Sequence, residues 1–200
     1  MVGIEAAIVL IAFVVIAAAL AYVVINMGFY AAQTAKTTIN NGINEATSAL
    51  ELDGFITGST DSNGNVIYLA VPVKLAVGEQ QVDLGANTNL VALQGGNFSL
   101  ANIYSGATNT TDTSMADLFG NVTTTDGTPN ATSYIYNSAG QQTVLVQNAK
   151  AYIIIYLGEN YALTPYTKMT VEVRTSVGAA LTIQREIPGG LPPNMMVNLG

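Results

Sequence analysis

Residues 6–25 read AAIVLIAFVVIAAALAYVVI, twenty positions without a charge, a proline or a glycine. Alanine and leucine favour helix, and the β-branched valines and isoleucines are tolerated in an apolar surround. At about 1.5 Å of rise per residue, twenty residues match the span of a bilayer's hydrocarbon core. Burying each larger side chain is worth about 1.5–3 kcal/mol, so about a dozen of them sum to tens of kcal/mol. Such a helix does not stay bare in water.

Three fates compete for this segment. A cleaved secretory signal requires a basic stretch ahead of the apolar run, and no Lys or Arg precedes it. A permanent anchor is oriented by flanking cations, yet the first cation is Lys36. The third fate, which we favour, is a helix that first sits in a membrane and later packs against copies of itself. Ala6, Ala7, Ala12, Ala17, Ala18, Ala19 and Ala21 allow backbones to approach closely. The segment is apolar all round, so no face is reserved for solvent. The candidate core contacts are Ile8, Ile11, Val14, Val15, Leu20 and Val24, together with Glu5 at the start.

Beyond Ile25 the pattern narrows to one stripe. Ile25, Phe29, Ala32, Lys36, Ile39, Ile43, Ala46 and Leu50 recur at spacings of three and four, with Lys36 the one charged member. The stripe predicts a helix continuing to Asp53-Gly54, bent or flexible near Gly28, with its second half docked on the head. The predicted division is therefore a helix over residues 1–53 and an outer domain over residues 54–200.

The opening MVGIEAAIVLIAFVVIAAALAYVVINMGF closely resembles the mature N-terminus of archaeal flagellins (archaellins), especially the crenarchaeal type. It resembles more loosely the type IV pilins, which share the Glu and the apolar helix. The close match covers about the first 30 residues, and the remainder is similar only in being a polar, β-rich head. The resemblance implies a leader removed by a membrane prepilin-like peptidase, with Met1 as the first mature residue. It implies transient residence in the cytoplasmic membrane, then assembly into an extracellular homopolymer turned by basal motor and assembly proteins. On that reading the chain is a passive propeller rather than an enzyme. In pilins the Glu matching Glu5 pairs with the amine of a neighbouring subunit, whereas archaellins often lack it. The alternative for Glu5 is a carboxylate held by the helix N-terminus and partial solvation. An adhesive pilin of a surface pilus is the alternative for the whole chain.

Composition removes most other classes. There is no Cys and no His, which excludes thiol chemistry, thiolate metal sites and imidazole bases. Thirteen acids stand against six bases, with no base between Lys74 and Lys150, so the clustered cations of a nucleic-acid binder are missing. Neither a GxGxxG, a phosphate-binding loop nor a G-x-S-x-G elbow occurs. Asp112, Asp117 and Asp126 are scattered carboxylates, a poor basis for a glycosidase-like pair. No cofactor is expected.

From Phe55 the period switches to two. Residues 66–73, 80–84, 149–157, 168–176 and 180–187 read as strands, with shorter candidates at 90–93, 97–103 and 143–147. Short turns between them predict an immunoglobulin-like β-sandwich, giving an α+β chain with a long hydrophobic N-terminal α-helix. Residues 151–157 are apolar on both faces, which places that strand centrally or at an interface. Asp61-Ser62-Asn63-Gly64-Asn65 has oxygens at alternate positions, but its Gly comes one place early for a calcium loop and Pro72 stands where the distal Glu belongs. A hairpin turn is the simpler reading.

Residues 97–138 are the least regular stretch, dense in Thr, Ser, Asn and Gly. Four of its six asparagines head N-x-S/T sequons: Asn97, Asn109, Asn121 and Asn130. In an extracellular chain they are candidate N-glycosylation sites on an outward face. The alternative is a polar surface loop that happens to be rich in sequons. The tail Pro188-Gly189-Gly190-Leu191-Pro192-Pro193 is incompatible with regular helix or a central strand. It is expected to wrap the sandwich or meet a neighbour, with Met195 and Met196 as interface or core side chains.

Overall fold

A computed structural model of the chain describes residues 2–46, 49–77, 81–122, 124, 126–136, 140 and 142–200. Met1 and Gln80, both singled out in the sequence, lie outside the described residues. Two units separate, residues 1–43 and residues 44–200.

The first unit is the helix α1, Val2–Ala46. It runs without interruption through Gly28, over about 68 Å at 1.5 Å per residue. Thr37 and Thr38 return their hydroxyls to the carbonyls of Gln33 and Thr34, each at 2.9 Å, so these polar groups are satisfied within the helix.

The helix stops short of the predicted Asp53. Leu50–Leu52 is a strand, β1, pairing antiparallel with residues 73–75. Leu50 had extended the three-and-four stripe, but its side chain is buried in the core of the head. Strand pairing and burial together outweigh one more helical turn. Of the earlier members of the stripe, Ile25, Phe29, Ala32, Lys36, Ile39 and Ile43 are exposed on α1.

The head is a two-layer sandwich. Its strands in chain order are β2 Thr57–Thr60, β3 Val66–Leu75, β4 Gln81–Asp83, β5 Leu90–Gln94, β6 Ser99–Leu100, β7 Tyr104–Asn109, β8 Asn130–Tyr136, β9 Val144–Val146, β10 Lys150–Tyr156, β11 Lys168–Arg174, β12 Leu181–Glu186 and β13 Met196–Asn198. A seven-stranded sheet has the order β13-β2-β3-β10-β8-β7, with β1 on the same edge of β3 as β2. A four-stranded sheet, β12-β11-β5-β6, covers it, and β4 pairs with β9 alongside. Pairing is antiparallel except between β7 and β8.

Alternation explains the core between the layers. Leu69, Val71 and Val73 of β3 and Ala151, Ile153 and Ile155 of β10 face Val91 and Leu93 of β5 and Met169, Val171 and Val173 of β11. The outward face of β10 is also buried, because a helix α2, Met115–Val122, lies over it. Leu118, Phe119 and Val122 pack on Ala70, Tyr134 and Ile154. The rings of Tyr68 and Phe119 stack with centroids 5.0 Å apart at this second core. β10, flanked by β3 and β8 and covered on both faces, is thus central, as its apolar run predicts.

Residues 97–138, read as irregular, contain β7, α2 and β8. Within the predicted strand at 97–103 only Ser99–Leu100 pairs. The polar residues that hid β8 are satisfied internally: the Tyr104 hydroxyl donates to the carbonyl of Leu84 and accepts from the Ser133 hydroxyl at 2.9 Å. Burial pushes the Tyr104 phenol up to about 12, so it remains a neutral donor.

The turn between β2 and β3 is held by Asp61. Its Oδ1 accepts the backbone N–H of Asn63 and of Asn65, each at 2.8 Å, and Oδ2 accepts from the Asn65 amide at 3.3 Å. The carboxylate is occupied by donors, which supports the turn reading over a cation loop. The Asp61 carbonyl and the Thr60 hydroxyl hold the tail, accepting from Asn194 N at 3.0 Å and donating to Pro192 O at 2.6 Å.

Partial desolvation pushes the Asp61 carboxyl up, but the N–H donors of Asn65 and Asn63 outweigh it and hold the group below its ordinary value. A depressed carboxylate contributes stability above its unfolded pKa and loses it as pH falls through the folded one. Replacing Asp61 by Ala is expected to cost the head about 1 kcal/mol at neutral pH. The wild-type advantage should start to shrink as pH falls below about 4 and vanish only below the lower folded value, a trend that thermal unfolding at neutral and acid pH reads directly.

Candidate assembly surface

Every residue of α1 from Gly3 to Ile43 is exposed in the isolated chain. Ile8, Ile11, Val14, Val15, Leu20 and Val24 all stand in solvent, and with their neighbours they encircle the helix rather than lining one face. The most apolar stretch has a mean hydropathy of 3.2. Glu5 is exposed in the first turn, where the helix N-terminus favours a negative charge. Lys36 is the next ionisable side chain after Glu5 apart from the phenols of Tyr22 and Tyr30.

The chemistry open to this surface is association. A helix needs about one apolar stripe to dock on a domain, whereas a fully apolar circumference needs neighbours on every side. The alanines of the segment leave shallow places where other helices approach closely. At tens of kcal/mol, the penalty for leaving this surface in water exceeds the whole stability of an ordinary domain.

The head, by contrast, keeps its own needs within itself. Asp53 receives the Lys150 ammonium at 2.6 Å, and the same bond holds its carboxyl below the ordinary range. Lys74 reaches Glu51 at 3.2 Å and Asp53 at 3.7 Å. This open chain of ion pairs, Glu51–Lys74–Asp53–Lys150, fastens β1 to β3 and β10. Among the described residues, no group of three or more His, Cys, Asp or Glu side chains is placed to hold a metal ion.

The four sequons lie on the β5–β8 side of the head. Asn97 and Asn109 are exposed, in the turn before β6 and at the end of β7. Asn121, exposed on α2, donates its amide to Asp112 at 3.3 Å. Asn130 is half-buried, and its amide donates to the Val122 carbonyl at 3.3 Å. Sequence reasoning missed α2 itself, although Met115, Leu118, Phe119 and Val122 carry the spacing of an amphipathic helix.

Residues 1–185 match the profile of the family described as archaeal-type flagellin. The chain belongs to that family. This flagellin is 38% identical to probable flagellin 1 of Aeropyrum pernix over 202 residues, covering all of this chain and 97% of the relative. It is 34% identical to probable flagellin 2 of Archaeoglobus fulgidus, over 93% of this chain and 88% of that one. Its fold is similar to a subunit in the solved structure of the archaeal flagellum of Methanospirillum hungatei, with a TM-score of 0.59 and 26% identity over 98% and 99% of the two chains. A crystal structure of archaeal flagellin FlaB1 from Methanocaldococcus jannaschii shares the fold at a TM-score of 0.61 and 17% identity, over 76% of this flagellin and 97% of that chain.

If α1 alone carries the insoluble surface of the flagellin, a chain trimmed to residues 44–200 should be a soluble monomer. Sedimentation of the trimmed and full-length chains without detergent checks this; polymers of the trimmed head would move the assembly surface elsewhere.

Proposed function

We propose that this flagellin is the structural subunit of an archaeal flagellum filament, polymerised through α1 into a passive propeller turned from its base. The observation that carries the reading is the exposed apolar circumference of a 45-residue helix joined to a head whose core is complete without it. The filament is an extracellular homopolymer, and the chain is structural rather than catalytic. Membership of the archaeal-type flagellins supports the propeller over an adhesive pilin.

The finer steps belong to the same proposal. Before assembly the helix lodges in the cytoplasmic membrane, since lipid is the other medium that solvates it on all sides. A prepilin-like peptidase trims the chain there, and basal assembly proteins extract it. Ile8, Ile11, Val14, Val15, Leu20 and Val24 then exchange lipid for sister helices. Glu5 sets the stagger by meeting a neighbour's N-terminal amine, because a carboxylate left unpaired in such a core costs several kcal/mol.

Replacement of Val14 or Val15 by Asp places an unpaired charge inside this core. Neither variant is expected to form filaments under negative-stain microscopy, and cells carrying either should not swim. Normal filaments from both would remove α1 from the core.

Carbohydrate on the head is a further part of the reading. Asn97 and Asn109 present exposed side chains, whereas the Asn130 amide is half-buried and engaged. Glycopeptide mapping of purified filaments is expected to find sugar at Asn97 or Asn109 and none at Asn130. Occupancy of Asn130 alone would contradict this ranking.

A further inference from the structure

Asparagine is a thermolabile residue, and it is most reactive when glycine follows it. The glycine nitrogen then attacks the asparagine Cγ unhindered by a side chain, giving up its proton as the amide NH2 leaves as ammonia. The succinimide so formed takes up water and opens to aspartate or isoaspartate. The chain has two such pairs, Asn41-Gly42 in α1 and Asn63-Gly64 in the turn between β2 and β3. Gly42 lies inside a helix, where its N–H is committed to the carbonyl four residues back. Asn63 has no such ladder, and its side chain is exposed to water.

What restrains Asn63 is Asp61. The Gly64 N–H, which belongs to the attacking nitrogen, donates to the Asp61 carbonyl at 3.2 Å. The Asn63 N–H donates to Asp61 Oδ1 at 2.8 Å, and the Asn63 side-chain amide is one of the further donors drawn to that carboxylate. Both partners in the reaction are therefore tied to one residue, in a turn where Gly64 takes a φ of 82°. For the ring to close, the nitrogen must lose its proton and swing towards Cγ, so these bonds break first. The tail closes the turn from outside. Gly64 is buried, a Cβ on it would stand 2.9 Å from the Leu191 carbonyl, and Asn194 N donates to the same Asp61 carbonyl at 3.0 Å.

We propose that Asn63 is a latent deamidation site gated by the Asp61 turn, unreactive while the turn is closed and converted to aspartate or isoaspartate once it opens. The conversion runs one way. Either product sets a second carboxylate beside Asp61, where like charges repel. Isoaspartate also adds a backbone carbon inside the turn, which the 2.8 Å bond from Asp61 N to the Asn65 carbonyl does not accommodate. The tail that leans on Asp61 then loses its seat.

The proposal stands apart from filament assembly and is tested on the full-length chain in detergent. Peptide mass spectrometry after incubation in warm, mildly alkaline buffer should find deamidation at Asn63 slower by an order of magnitude in the folded chain than in denaturant. Asp61→Ala, compared at a temperature where circular dichroism shows it folded, should raise the folded-state rate at Asn63 several-fold. Chain already deamidated there should be cut by protease within residues 188–195 faster than fresh chain. Equal rates at Asn63 in folded and denatured chains overturn the proposal, as does a folded Asp61→Ala variant that deamidates no faster than the wild type. Equal cleavage of fresh and deamidated chain removes the release of the tail.

Discussion

The apolar side chains of α1 from Ile4 to Ile39 stand exposed around the whole helix, and the behaviour of the molecule follows from that. A helix whose circumference is apolar from Ala6 to Ile25 is unstable in water by more than a domain can absorb. It is at ease in lipid or among other such helices. In the proposed assembly route the same surface serves for storage in the membrane and cohesion in the polymer, and transfer between them exchanges one apolar surround for another. The free energy of that exchange is set by packing and by the polar groups at the margins, Glu5 and Lys36, rather than by hydrophobicity as such.

The head answers the opposite requirement. In the proposed route it must remain folded while its tether is in lipid, during extraction, and after assembly. Its core is closed by three devices that owe nothing to α1: the four-stranded sheet on one face of β3 and β10, α2 on the other face of β10, and the chain of ion pairs where β1 joins. The register of Leu50 on Leu75 and Leu52 on Val73 ties the first strand of the head to β3 inside the seven-stranded sheet.

Much of this was legible before any coordinates. The long charge-free run announced the helix, and strict alternation in Met169, Val171 and Val173 announced β11, since both periods follow from backbone geometry. The apolar run in β10 correctly placed it centrally, but what covers its second face was hidden, because α2 occupies only eight residues in a stretch dominated by Thr, Asn and Ser. β8 was missed for a related reason. Its Ser133 and Thr132 look like surface residues, and only the tertiary hydroxyl contacts to Tyr104 and Ser105 make them acceptable in a sheet. The end of α1 was misplaced because Leu50 satisfies both a helical stripe and a strand, and only pairing with β3 decides between them. The exposed Met195 and Met196 were seen in outline, but the strand that begins at Met196, β13, pairs with β2 across most of the length of the head's sequence. Local patterns do not contain that.

A cohesive segment with almost no ionic groups gives the fibre an unusual response to its surroundings. Ions in the medium have little to screen along α1, so brine should leave the shaft intact where a charge-glued polymer would fall apart. Structure-making salts should tighten it, and chilling should loosen it, because the force between apolar surfaces fades as water cools. Such a propeller suits hot or saline water and is most vulnerable in the cold.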